Sequence, residues 1–325
     1  MEFRTIVKTG ENRGWLHHSD KVLLLGSCFS DNIGAKMNGA LINATVNPMG
    51  TLYNPMSIAR AVKRLIDCSP IAGQDLFMQG GVWNSYEFHS RYSMPDKQAA
   101  IDRMNQRIVM GHEALHEAQM LTITLGTAMV YRLKATGQVV ANCHKVPQHE
   151  FERKMATVPE MVQELDDMLS RLHQFNPAMQ IIFTVSPIRH VADGLGTNSL
   201  SKAALRIAVS EAIAGHSDYC DYFPAFEIMI DDLRDYRFYA SDMVHPSDVA
   251  IEYIWQAFQA TYLDDRSALA VARCERVYRR LQHRPMSSNR ETVDRFNADT
   301  AIVVRNLMKE YPYLTHHPEL QKVLG

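Results

Sequence analysis

Short unbroken apolar runs alternate along this chain with longer stretches in which apolar residues recur every three or four positions. The run "KVLLLG" at 21–26 closes on glycine, "MLTITLGT" at 120–127 and "QIIFTVSP" at 180–187 also stop at Gly or Pro, and "YCDYFPAFEIM" at 219–229 is a shorter candidate. A short apolar run ended by a turn residue fits a parallel strand covered on both faces. Between these runs lie helical patterns at 56–67, 97–118, 157–174 and 199–215, the last with Ser199 and Ser201 as N-cap candidates. Strands alternating with helices predict an α/β fold with a mainly parallel sheet, whose ligands bind beyond the carboxyl ends of the strands. Gly26-Ser27-Cys28, Gly126-Thr127 and Ser186-Pro187 would then gather on one edge.

The last sixty or so residues differ. "RSALAVARCERVYRRLQHRP" is a helical pattern ended by Pro285, and Ser288-Asn289-Arg290-Glu291 is a capping-box signature opening a second helix towards Met308. The expected division is a domain over residues 1–264 and a C-terminal helical extension over 265–325, the segment expected to make any homo-oligomer contact. Its basic stripe, Arg273, Arg276, Arg279, Arg280 and Arg284, reads as a solvated helix face rather than a site for RNA or an acidic partner.

Composition narrows the function classes. Of 325 residues, 46% are hydrophobic and 22% charged, which is ample for a packed core. A net charge of −2 gives no electrostatic reason to expect a nucleic acid or an anionic membrane as partner. The N-terminus has no secretory apolar stretch and no segment reaches the ~20 apolar residues of a membrane helix, so a cytoplasmic location is expected. Five scattered cysteines without a CxxC pair argue against a disulfide framework and a zinc ribbon. No metal is expected, because His89, Cys143, His144 and His149 lack zinc-ligand spacing. No nucleotide cofactor is expected either, since "LGSCFSDNIG" lacks the glycine spacing of a phosphate-binding loop.

Two stretches carry candidate chemistry. Ser27 and Cys28 place two nucleophiles side by side at a strand exit. Far downstream, in "YASDMVHPSD", Asp242 and His245 stand three apart, a spacing that lets the carboxylate orient the imidazole on one helical turn or tight loop. Together they have the ingredients of a nucleophile, a base and an orienting acid.

The motif Gly26-Ser27-Cys28-Phe29-Ser30 resembles the signature of the GSCFA-domain family, within the SGNH or GDSL-type hydrolase superfamily, with serine in place of the final alanine. "NPMGTLYNP" at 47–55, "LGTAMVYR" at 125–132, "NCHK" at 142–145, "TVSPIRH" at 184–190 and "LRDYRFYASDMVHP" at 233–246 resemble further family blocks. The resemblance covers roughly 3–260 and implies a three-layer α/β/α sandwich of SGNH or flavodoxin-like type. It implies a hydrolase or acyltransferase of esterase or deacetylase type, acting on a small-molecule or carbohydrate acyl substrate without a cofactor. The superfamily register, with the nucleophile two positions after glycine, points to Cys28, while Ser27 with Cys28 packed beneath remains the alternative. A thiol beside a histidine at a helix N-terminus is expected to have its thiolate stabilised.

The resemblance also implies oxyanion donors at the nucleophile's backbone N–H and at Gly50. Where the superfamily places an asparagine donor this chain has Ala128, so Asn142 is the substitute candidate, against its reading as a turn residue. His144, beside Lys145, is expected to line the pocket or hold an anionic group, and Cys143 with His144 forms a second Cys-His pair. His89 and His190 are expected at the pocket rim. The missing asparagine favours the rival class, a catalytically degenerate module that binds a small ligand or a partner.

Overall fold

Alternation within the buried strands decides which helices lie on which side of the sheet. In the computed structural model, which describes residues 4–283 and 289–324, strands β1 (Lys21–Gly26), β2 (Asn43–Val46), β5 (Met120–Leu125), β9 (Gln180–Val185) and β10 (Cys220–Tyr222) form one parallel sheet in the order β10-β9-β5-β1-β2. Register is continuous through its centre, with Gly26 opposite Thr124 and Thr124 opposite Thr184. Leu23, Leu25, Leu121, Ile123, Leu125, Phe183 and Val185 face one layer. Helices α2 (Pro55–Asp67), α3 (Lys97–Glu117), α4 (Val158–Phe175) and α5 (Leu195–Ala214) cover that layer. Val22, Leu24, Met120 and Ile182 face the other, against α1 (Cys28–Gly39) and α7 (Asp248–Tyr262). The result is the expected three-layer α/β/α sandwich with a mainly parallel sheet. A period of two sends alternate side chains into two apolar layers, which is why these strands read as unbroken apolar runs.

Two smaller sheets were not visible in the pattern: a hairpin of β3 (Phe77–Gln79) and β4 (Val82–Asn84), and an antiparallel sheet of β6 (Met129–Leu133), β7 (Val139–Val140) and β8 (Phe151–Met155). The second follows β5 directly and forms a wall of the site described below. The apolar run at 219–229 is a strand only over Cys220–Tyr222. Pro224, which has no N–H for the ladder, turns the chain into the single helical turn α6 (Ala225–Glu227) and a π turn over Ile228–Asp232. Ser199 and Ser201 do not cap α5. That helix starts four residues earlier, after Gly194, and Ser201 Oγ instead accepts the Ala128 N–H at 2.7 Å.

The C-terminal helices α8 (Asp265–Gln282), α9 (Arg290–Glu310) and α10 (Pro318–Leu324) share a third apolar cluster, built from Cys274, Val277, Val304, Leu307, Leu314 and Leu320 with Leu41 from the sandwich. His18 ties the two parts together: its Nε2 bonds Ala40 O at 2.7 Å and its Nδ1 bonds the Tyr313 hydroxyl at 2.8 Å. Part of the basic stripe is paired within the tail, Arg273 with Glu310 and Arg280 with Thr300. Asn289, from the expected capping box, caps α9 by accepting the Glu291 N–H. Arg284, Pro285 and Ser288 lie outside the described residues. Among the described residues no helix is long and apolar enough to cross a membrane.

Candidate functional site

The strand exit is built around one glycine. Gly26 adopts φ +133°, and a Cβ there would sit 2.1 Å from Thr124 O, so only glycine lets β1 turn out this close to β5. Ser27 follows as the N-cap of α1. Its Oγ accepts the Phe29 N–H at 3.3 Å, and the residue is 1% exposed. Cys28 is the first helical residue and half-buried, its Sγ 3.9 Å from His245 Nε2. The expected gathering of strand ends is present: the Ser27 N–H donates to Thr124 O at 3.1 Å and the Ser186 N–H to Leu125 O at 2.8 Å, while Gly126 and Thr127 donate to Tyr53 O at 2.7 and 3.0 Å.

The loop before α7 fixes the other half. Met243 takes a left-handed φ of +59°, and Ala240 N–H donates to His245 O at 2.7 Å, closing a tight loop rather than a helical turn. Asp242 Oδ2 contacts His245 Nδ1 at 2.6 Å while its Oδ1 accepts the N–H groups of Val244 and His245 at 2.9 and 3.0 Å. The backbone N–H donors of His245 and Val244, followed by the imidazole, hold this exposed carboxyl down at about 2.

A cavity of about 310 Å³ opens over these groups. Ser27, Cys28, Tyr53, Asn54, Thr127, Tyr131, Arg153, Arg189, His190, Asp193 and His245 are among its lining residues. A larger groove of about 490 Å³ between α2, α4 and the β6–β7 turn holds none of them. Burial is the largest influence on the Cys28 thiol and pushes it up, helped by Asp31. Its own N–H, the Tyr53 hydroxyl and Lys202 act in the opposite direction. The expected thiolate stabilisation is therefore outweighed by desolvation, and the resting group is a thiol.

Three residues overlooked in the sequence stand around it. Tyr53 lines the cavity with Cys28, and its hydroxyl works to hold the thiol's pKa down. Asn54 is the N-cap of α2: its Oδ1 accepts the Ser57 N–H at 2.9 Å, and its Nδ2 meets no acceptor among the described residues. Lys202, on α5 beneath the cavity, donates to Gly126 O and Ser186 O, both at 2.7 Å, pinning together the ends of β5 and β9. Burial lowers its pKa to about 7, with the Cys28 charge acting the other way. Its signal in the sequence was a lysine on an apolar stripe, between Ser201 and Leu205.

Other expected site residues take structural places. Gly50, at φ +91°, already donates its N–H to Asn47 O at 2.8 Å, and its α-carbon packs against the His89 side chain, so the expected oxyanion donor is engaged in a turn. Asn142 Oδ1 accepts the His144 N–H at 2.9 Å, the turn reading of that residue. His144 is buried with its Nε2 on Ser85 O at 2.7 Å, and His89 Nδ1 accepts the Arg91 N–H at 3.2 Å. Neither lines the cavity. His190 does line it, its ring perpendicular to that of Tyr53 at 5.6 Å between centroids, and burial followed by Lys202 lowers its pKa to about 4, leaving it neutral. Ala128 is buried and supplies no polar side chain. Among the described residues no group of three or more His, Cys, Asp or Glu side chains is placed to hold a metal ion.

The GSCFA family model matches residues 21–258. No curated protein matches the chain. A solved structure of an acetyl xylan esterase (Est2A) from the rumen bacterium Butyrivibrio proteoclasticus aligns at 11% identity with a TM-score of 0.39. The alignment covers 74% of this chain and 63% of that one, so this chain spans just under two thirds of its length.

Proposed function

From the premise that this chain belongs to the GSCFA family, we propose that it is an esterase-type hydrolase, cleaving the acyl bond of a small-molecule or carbohydrate substrate through Cys28, His245 and Asp242. The observation that carries this reading is the Cys28 Sγ–His245 Nε2–Asp242 line at the floor of a cavity sized for a small ligand. His245 Nε2 takes the proton from Sγ as sulfur attacks the substrate carbonyl, and the His245 Nδ1–H stays on Asp242. The 3.9 Å separation closes as substrate binds, since such contacts are often loose without ligand. Collapse of the tetrahedral intermediate expels the alcohol with the proton held by His245. A water deprotonated by the same imidazole then cleaves the thioester and restores the thiol.

The developing oxyanion needs donors, each typically worth ~3 kcal/mol of barrier. With the Gly50 N–H engaged, we assign the oxyanion to the Cys28 N–H at the start of α1, the Asn54 Nδ2 amide and the Tyr53 hydroxyl. Asn54 takes the role that Ala128 leaves empty. The degenerate binding module remains the outcome in which no acyl bond is broken. Assay of short-chain nitrophenyl esters and thioesters with wild type, Cys28→Ala and His245→Ala tests the reading. Turnover that both variants lose supports it, and rates indistinguishable among all three contradict it.

A further inference from the structure

Two arginines line the cavity, and they are not equivalent. Arg153 is neutralised: its guanidinium pairs with Asp193 and lies over the Tyr131 ring at 4.8 Å. Arg189 has no carboxylate partner among the described residues. Its guanidinium lies over the ring of Tyr239 at 4.2 Å and that of Tyr236 at 5.5 Å, and one Nη2 proton goes to the Tyr239 hydroxyl at 2.7 Å. The remaining N–H groups meet no protein acceptor among the described residues. The ring faces remove water from the guanidinium and hold it as a fixed fork, the geometry that suits a planar carboxylate or a phosphate.

The other charges at the cavity leave this cation uncompensated. Asp193 is taken by Arg153, Asp242 by His245 and two backbone N–H groups, and His190 is neutral. Arg189 is also tied to the catalytic loop, its backbone N–H donating to Val244 O at 3.3 Å, one residue before His245. We infer that Arg189 forms an anion subsite that receives a carboxylate or phosphate group carried by the substrate next to its scissile acyl bond. This deepens the hydrolase reading and rests on it for the word substrate, but the subsite itself is a binding property that can be measured without turnover.

The first test is protection of Cys28 from iodoacetamide, followed at the Cys28 peptide by mass spectrometry, with benzoate, phenyl phosphate and the neutral isostere benzamide as competing ligands. Wild type is expected to be protected by benzoate or phenyl phosphate at concentrations where benzamide does nothing, the stronger of the two telling carboxylate from phosphate. Arg189→Gln is expected to weaken that protection about tenfold to a hundredfold, the range for a lost hydrogen bond to a charged group, and Arg189→Lys to restore part of it. A general loss of structure would slow protection by no one ligand in particular and would not be rescued by lysine. Equal protection by benzoate and benzamide, protection by none, or anion protection unchanged in Arg189→Gln overturns the subsite.

The second test compares hydrolysis of phenyl acetate, 4-acetoxybenzoate and monophenyl succinate, which are neutral, acidic in the alcohol half and acidic in the acyl half. The expected result is a KM for one acidic ester raised in Arg189→Gln at least tenfold more than the KM for phenyl acetate, and the ester affected locates the anion. Hydrolysis of all three with the same KM ratio between variant and wild type for each overturns the inference and leaves the hydrolase standing. Hydrolysis of none overturns the hydrolase, and the protection result then decides the subsite alone.

Discussion

Cys28 Sγ faces His245 Nε2 across 3.9 Å, two hundred and seventeen positions apart in the chain, while the neighbouring Ser27 hydroxyl is buried and turned back to cap α1. One residue of register therefore separates a side chain at the cavity floor from one committed to holding the helix start.

Ser27→Ala should behave as a capping variant. Loss of the Oγ acceptor for Phe29 N–H is expected to lower unfolding free energy by about 0.5–2 kcal/mol, seen as a lower urea midpoint with an unchanged slope. Esterase kcat should stay within a few-fold of wild type; a loss as deep as that of Cys28→Ala would return the nucleophile's role to Ser27.

Asn54→Ser separates capping from donation. Serine keeps a side-chain acceptor for the Ser57 N–H but removes the Nδ2 donor, so stability is expected to hold while kcat falls about 10²–10³-fold with little change in KM. An unaltered kcat would remove Asn54 from the oxyanion site.

Lys202 makes a prediction in pH. Its pKa is lowered by burial from 10.5 to about 7, so between these values the unfolded chain binds more protons than the fold and stability rises with pH. Lys202→Met should lose that positive slope between about pH 7 and 10 relative to wild type, measured by urea unfolding. A pH-stability curve for Lys202→Met parallel to that of wild type would contradict the lowered pKa of this buried lysine.

Much of this arrangement was legible in the residues. The central strands announce themselves because both faces are covered, so every position after the first is apolar or small. Asn43–Val46 did not, being four residues long and only partly buried at the sheet edge. Strands β6 and β8 mix Arg, Lys and Glu with apolar positions, because one side faces solvent or the cavity, and their pairing depends on a return across the intervening β7. Asp242 and His245 were readable from spacing alone, since the tight loop needs nothing outside itself. Gly50 and Asn142 depend on more than spacing: the Gly50 N–H goes to Asn47 O, and Asn142, its Oδ1 on the His144 N–H, is not among the residues lining the cavity, which only the folded turns decide. Tyr53 and Asn54 lay within a quoted block, yet their roles come from where α2 begins relative to β1 and β5.

The most direct measurement is mass spectrometry of the enzyme quenched in acid during turnover of a slow nitrophenyl ester or thioester. The account expects the acyl mass on the peptide containing residues 27 and 28, localised by fragmentation to Cys28, released by neutral hydroxylamine, and absent in Cys28→Ala. Acylation of Ser27, or full turnover in Cys28→Ala with no adduct on the peptide, would contradict it.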